Sequence, residues 1–396
     1  MLRVLMITRE YPPFVVGGVA THTYYLTKYL RKMGIYVKVV SFGDPKLSTE
    51  DTVFIEPRSS IISKETTSIA GDIRVPLDIV RYTNFVKNVL KEEQFDTVHV
   101  QEPYVAGFIS FEHKVTTIHD TSYGEIKGYM KYLDSSSLKR IAFYIAMGYT
   151  LEFASILTSK IIINPSIDVA WEMIKVYRVP KEKIRVIPNG VEEPPSNEPS
   201  RDAAREILGI PNDHFIVFTT AQHVGRKRID TLIRAAKILK NKGVKGFKII
   251  IGGKGPLTPH LKNFATKLQV NDIVEFTSWV PKEKLPLYYR ATDVFVITSE
   301  YEAGPITMLE AGIRSIPIII SDIPSGFAMI AKNGVDCLKF KLGDPNDLAE
   351  KMIMLMNDRR LWKKLALGAK IFASAFTWER IARSTMKIYR DSRLIE

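Results

Sequence analysis

The sequence predicts an α/β protein made of two doubly wound parallel sheets, and two observations predict it. Short runs rich in Val and Ile, among them Val37–Ser41, Ile161–Asn164, Phe247–Ile251 and Val294–Ile297, alternate with helix-length amphipathic stretches in both halves. Apolar runs of that length suit strands buried on both faces, and strand–helix alternation is the signature of parallel βαβ units. Between the halves lies Glu192–Ser200, whose only apolar side chains are three prolines; such a segment reads as a linker. The division expected is 1–190, a linker 191–200, a second domain 201–375 and a terminal helix 376–396. A chain of 396 residues fits that division.

The composition, 45% hydrophobic and 25% charged, is that of an ordinary globular protein. No apolar run of about 18 residues stands out, so no spanning segment is expected, and the first residues read as a strand rather than a signal peptide. The single cysteine, Cys337, forbids an internal disulfide and fits a packed thiol in a reducing compartment. The net charge of +13 falls almost entirely on residues 201–396, concentrated near 201–250 and 351–396. Nucleic-acid binding is not expected, because aromatic and basic residues do not interleave.

In chain order, Leu2–Ile7 is the first strand, followed by a turn through Gly17-Gly18-Val19 and a helix from Ala20 to about Met33. Paired glycines before a helix let a ligand approach the backbone, but the Gly-x-Gly-x-x-Gly dinucleotide fingerprint is absent. His22 falls on the first helical turn and reads as a surface or packing residue that can also face a ligand. Residues 44–75 are polar and interrupted, with no chemistry. A helix Leu77–Glu93 leads to strand Thr97–Val100, ending near Glu102. Strand Val115–Ile118 ends in His119-Asp120. Ligands of open α/β sheets gather at the carboxyl ends of strands, so Glu102, His119 and Asp120 are candidate site residues. Tyr123–Leu157 is read as helical, aromatic and apolar with Lys127, Lys131, Lys139 and Arg140 interspersed: core plus solvated face, or a lipid-docking surface.

In the second half, Gly225-Arg226-Lys227-Arg228 places three cations before the helix Asp230–Asn241. The helix dipole disfavours cations there, and an anion such as a diphosphate resolves the conflict. Ser299-Glu-Tyr-Glu302-Ala-Gly304-Pro-Ile-Thr-Met-Leu-Glu310 follows the strand Val294–Ile297. Ala303–Ile313 reads as a helix whose first amides point over the strand end and attract a phosphate or a hydroxyl. Glu302 and Glu310 are then roughly 10–12 Å apart along the axis. Paired hydrolase carboxylates sit roughly 5–10 Å apart across one bond, so these two suit the ends of one long ligand.

The Glu302-x7-Glu310 spacing, Gly17-Gly18, His119-Asp120, the Pro188-Asn-Gly-Val191 turn, Lys227 and Gly252-Gly-Lys-Gly255 together resemble the retaining GT-B glycosyltransferases, and within them glycosyltransferase family 4. The resemblance implies two Rossmann-like domains facing a central cleft, the first for the acceptor and the second for the donor, with the last helix crossing back to the first. It implies transfer of a hexose from a nucleotide-diphosphate sugar to an acceptor hydroxyl, with retention, no cofactor and no metal; Asp-x-Asp and zinc spacings are absent from the chain. It assigns His119, Asp120, Glu302 and Lys227 to the reacting sugar. The donor falls to Gly18, Arg226, Lys227, the amides of Gly304, Ile306 and Thr307, Glu310 on the ribose and the backbone at Val280 on the base. Gly17, His22 and Glu102 are acceptor-side candidates. The family's diphosphate arginine is missing, so Arg226 or Gln222 takes its place. The implied location is cytoplasmic, with peripheral contact to an anionic inner membrane face as the alternative to a solvated surface. A nucleotide-sugar 2-epimerase or a non-catalytic sugar-binding protein is the competing reading.

Overall fold

The computed structural model describes residues 1–15, 17–59, 61, 74–130 and 135–394. Much of the 44–75 region and Lys131 of the expected 123–157 helix lie outside these residues. The chain divides into two compact units, residues 1–190 with 378–396, and residues 191–377.

In the first unit seven strands form one parallel sheet: β1 Arg3–Ile7, β2 Tyr36–Phe42, β3 Thr52–Ile55, β4 Thr97–Val100, β5 Lys114–Thr117, β6 Ile161–Asn164 and β7 Ile184–Val186. Their spatial order is 3-2-1-4-5-6-7, so the winding reverses between β1 and β4, where Val4 pairs with Thr97 and Ile7 with Val100. One face carries Leu5, Ile7, Val40, Val98 and Val100 under the helix Val75–Glu92.

The second unit has a six-stranded parallel sheet: β8 Phe215–Thr220, β9 Phe247–Gly252, β10 Val274–Ser278, β11 Val294–Ile297, β12 Ile318–Asp322 and β13 Leu338–Lys341. The order is 10-9-8-11-12-13, reversing between β8 and β11. Val217, Ile249, Ile251, Val294 and Val296 pack into one core, and Ile216, Phe218, Ile250, Phe295 and Ile297 into another. Alternate residues thus feed two separate apolar layers, which is why these strands are continuous apolar runs in the sequence.

Several expected boundaries move. The first helix is Gly18–Lys32. The helix after β11 spans Ile306–Ile313 rather than Ala303–Ile313. Gly304 takes φ +142, a left-handed conformation open to glycine, and Pro305 is extended. Glu302 therefore stands in the turn ahead of the helix, and only Glu310 is on it. The 123–157 stretch breaks into Ser122–Met130, Ser135–Phe143, a wide π turn Tyr144–Gly148, and Tyr149–Thr158.

By length and composition Leu138–Thr158 qualifies as a spanning run, with mean hydropathy 1.4, contrary to the expectation of none. It nonetheless buries Leu151, Glu152 and Ile156 in the first unit. Glu152 accepts hydrogen bonds from Ser122 N (3.1 Å) and Tyr177 Oη (2.6 Å), which pack this face of the helix in the first unit.

The 191–200 stretch lies within the second unit. Val191 N donates to Phe376 O (2.8 Å), and Glu198 is clamped by Arg314 (2.5 Å) and Arg290 (2.9 Å). The terminal helix, Trp378–Leu394, packs in the first unit, where Tyr389 Oη meets His99 Nδ1 at 2.6 Å.

At Gly253, φ is +102 and an added Cβ would lie 2.0 Å from Ala221 O. The turn after β9 rests there on the turn after β8. Gly253→Ala is expected to destabilise the second unit by about 1–3 kcal/mol or more, read as a lower urea midpoint at unchanged m-value.

Candidate functional site

In the second unit the crevice between β8 and β11 opens at their carboxyl ends, where the winding reverses and ligands of such sheets bind. A short 3₁₀ turn, Gly225–Lys227, follows β8, and the loop Thr298–Glu302 follows β11. Lys227 Nζ donates to Glu302 Oε1, forming a largely buried ion pair. Ser299 Oγ donates to the same oxygen at 2.5 Å, and Ser325 Oγ accepts from Glu302 N at 3.3 Å. The two loops are tied by Thr298 Oγ1 to Lys227 O (2.7 Å) and by Glu300 N to Arg226 O (2.9 Å). Burial pushes the Glu302 carboxyl up, but Lys227 and then Arg226 outweigh it and hold the group below its ordinary range.

The three cations before the helix Ile229–Asn241 separate in role. Arg228, at φ +46, pairs with Asp230 at 3.1 Å. Arg226 Nη1 reaches Tyr301 O at 3.5 Å, so it lies on the Glu302 side. Gln222, the other candidate, is exposed. Beside it, buried His223 bonds Thr258 Oγ1 (2.8 Å) and Gly252 O (3.3 Å), pinning this loop to the glycine turn. Val280 follows β10, with Trp279 exposed beside it.

Helix Ile306–Ile313 begins just beyond Glu302. The amides of Ile306 and Thr307 lie in its first turn, where no intrahelical acceptor exists. Glu310, half-buried one turn from the far end, accepts from Tyr289 Oη at 2.8 Å. Burial raises its carboxyl above the ordinary value, against the pull of that hydrogen bond and of Arg314.

In the first unit the β1–β4 crevice is filled by its own charges. Arg9 bridges Glu102 Oε1 (3.2 Å) and Glu10 Oε1 (3.5 Å), and Glu10 Oε2 accepts from Gly17 N at 2.8 Å. Glu102 is buried and turned inward, with burial pushing its carboxyl up against Arg9. Its acceptor-side reading therefore gives way to a structural one: it anchors the ion cluster that holds the glycine turn. Gly18, in contrast, has nothing within 4 Å of where a side chain would begin.

His119 follows β5, half-buried like Asp120. Its Nε2 lies 3.2 Å from Gln101 Oε1. The next helix start is fixed by Glu152 on Ser122 N and by Thr121 Oγ1, which accepts from Gly124 N at 2.9 Å. His22 is neither exposed nor isolated: its ring is 4.7 Å from that of His119 and 5.3 Å from Trp378, and its Nδ1 meets Asn189 Oδ1 at 2.9 Å. Burial lowers it to about 4. Burial, then His22 and His99, keep His119 well below its ordinary value.

The family described as Glycosyltransferase Family 4 matches residues 16–193, and that described as Glycosyl transferases group 1 matches residues 200–371. Together they account for both units. The chain is a GT-B glycosyltransferase. It is 24% identical to an uncharacterized glycosyltransferase of Methanocaldococcus jannaschii, with 98% of each chain covered. It is 27% identical to the alpha-monoglucosyldiacylglycerol synthase of Streptococcus pneumoniae, covering 82% of this chain and 72% of that one. Its fold matches Anabaena HepE, crystallised with UDP and glucose, at a TM-score of 0.74 and 16% identity, over 99% of this chain and 100% of that one.

Of the glycosyltransferase's expected site residues, the second unit brings Lys227, Glu302 and Arg226 together at one strand-end crevice. The first unit brings His119 against His22. Arg9, Glu10, Gln101, His223, Tyr289 and Ser299 escaped the sequence reading. An acid beside an arginine at the end of β1 was the one legible signal among them.

Burial of the neutral His22 carries a stability consequence. With the folded value at about 4 and the unfolded one near 6.5, its contribution is complete above about pH 6.5 and lost as pH falls toward 4, because the unfolded state binds the proton first. Unfolding free energy is expected to drop over that window, and His22→Gln to flatten the slope by up to about 1.4 kcal/mol per pH unit. Urea titrations at pH 4.5 to 7.5 check this.

Proposed function

We propose that the protein is a retaining hexosyltransferase that moves a hexose from a nucleotide-diphosphate sugar to an acceptor hydroxyl, without a bound metal. The observation that carries the proposal is the Lys227–Glu302 pair at the β8–β11 strand ends, ahead of the helix that bears Glu310. The Lys227 ammonium, together with Arg226 and the Ile306 and Thr307 amides, supplies fixed positive potential for a leaving diphosphate. Glu302 stands beside the sugar. Glu310, already oriented by Tyr289, takes the ribose hydroxyls, and the backbone at Val280 the base. His119 and Asp120 serve the reacting carbon, with the His119 ring held neutral by burial. Gly18 admits the ligand to the backbone.

The acceptor side of the proposal is a lipid-anchored substrate at an anionic, cytoplasmic membrane face. Leu138, Ile145 and Leu157 are exposed by more than half, with Lys127, Lys139 and Lys175 exposed on neighbouring elements. The diacylglycerol in the name of the pneumococcal relative supports that class.

Donor turnover is the test. Lys227→Ala, Glu302→Ala and Glu310→Ala are each expected to lower kcat/KM by about 100-fold or more, from the loss of roughly 3 kcal/mol per fixed group. EDTA is expected to leave the rate unchanged, and donor incubated alone to stay unepimerised. Rates within threefold of wild type in all three variants refute the assignment. For the membrane side, pelleting with phosphatidylglycerol vesicles is expected to weaken by roughly 30-fold in Lys139→Gln/Lys175→Gln, at about 1 kcal/mol per basic residue; unaltered pelleting refutes it.

A further inference from the structure

The second unit carries a cationic cavity at the end of its sheet opposite to Lys227 and Glu302. Its walls come from residues that precede the strands: Asp293 stands just before β11 and Ile316 before β12. Its volume is about 410 Å³, and it adjoins a second cavity of about 430 Å³ through shared Arg201, Asp293 and Arg359. Either volume is in the range of small-molecule sites, roughly 300–1,000 Å³.

Four guanidiniums line the first cavity: Arg201, Arg290, Arg314 and Arg359. Three carboxylates answer them, one of them Asp202, 3.4 Å from Arg201. Glu198 is held by Arg314 at 2.5 Å and Arg290 at 2.9 Å. Asp293 is divided between Arg201 at 3.1 Å, the fully buried Arg205 at 2.5 Å and the amide of Ile216 at 2.7 Å. Arg359 lies 4.1 Å over the Trp362 ring and has no ion pair among the described residues. The lining is therefore left with an excess of positive charge around a space that a small molecule fills. Planar guanidinium forks match phosphate oxygens two at a time, and Trp362 offers a flat apolar wall to whatever the phosphate is attached to.

We propose that this cavity is a second anion site, distinct from the donor crevice, that takes the phosphate group of a small phosphorylated molecule. Two side chains of the site bond Glu310, one at its carboxylate and one at its backbone carbonyl. Tyr289, on its wall, donates to Glu310 Oε2 at 2.8 Å, and Arg314 Nη1 donates to Glu310 O at 2.9 Å. An occupant is thereby felt at Glu310, which gives the site a regulatory reach.

Equilibrium dialysis of the full chain against radiolabelled inorganic phosphate tests this independently of the transferase reading. The Lys227→Ala background removes the donor-diphosphate cation, so that phosphate held there is not counted. In that background one phosphate per chain is expected to remain bound, and adding Arg201→Ala with Arg359→Ala is expected to weaken it at least tenfold. Arg359→Gln alone, at an exposed position that spares the core, is expected to weaken it at least threefold. Loss of all phosphate on Lys227→Ala, or binding indifferent to Arg359→Gln, overturns the proposal.

Discussion

The buried ion pair of Lys227 and Glu302 sets the terms for the second unit. Removing both charges from water costs several kcal/mol per ion before any attraction is counted, so the arrangement persists only with further hydrogen bonds and a rigid frame. Ser299 donates to the Glu302 carboxylate, and Ser325 accepts from the Glu302 backbone amide and fixes the turn. The frame is β8 beside β11, the only neighbours in this sheet at which the winding reverses. At such a reversal the connections leave in opposite directions and the strand ends stay uncovered. A charged pair there is fixed in position without being walled off.

The first unit uses its own reversal differently. At the ends of β1 and β4 the charges of Arg9, Glu10 and Glu102 satisfy one another, and what they hold in place is the amide of Gly17. One strand along, after β5, stands the candidate histidine His119. Burial, then His22 and His99, hold that histidine well below its ordinary value, and Trp378 of the terminal helix lies 5.3 Å from the His22 ring. The terminal helix thus packs against one of the first unit's candidate site residues.

Much of this was legible in the residues. Strands buried on both faces announce themselves as apolar runs, and Glu302, the glycines and Lys227 stand in turns beyond strand ends, where a parallel sheet offers its site. Three things resisted reading. The start of the helix at Ile306 depends on Gly304 adopting φ +142, a choice composition does not dictate. Glu102 looked open because a strand end is open on average; its partner, Arg9, is distant in sequence and is brought near only by pairing of β1 with β4. His22 read equally as a surface or a packing residue, since the ring that packs on it, Trp378, is more than three hundred residues away. Local pattern reports propensity and period; it does not report which long-range neighbour arrives.

The central claim is that the Lys227 ammonium and its carboxylate partner are arranged for a nucleoside diphosphate. Calorimetric titration of the intact chain with nucleoside diphosphates, compared with Lys227→Met, tests it most directly. The account predicts binding by the wild type and a loss of affinity of about 100-fold in the variant, the scale of one charge-assisted phosphate contact. Equal affinity in the two proteins would contradict it.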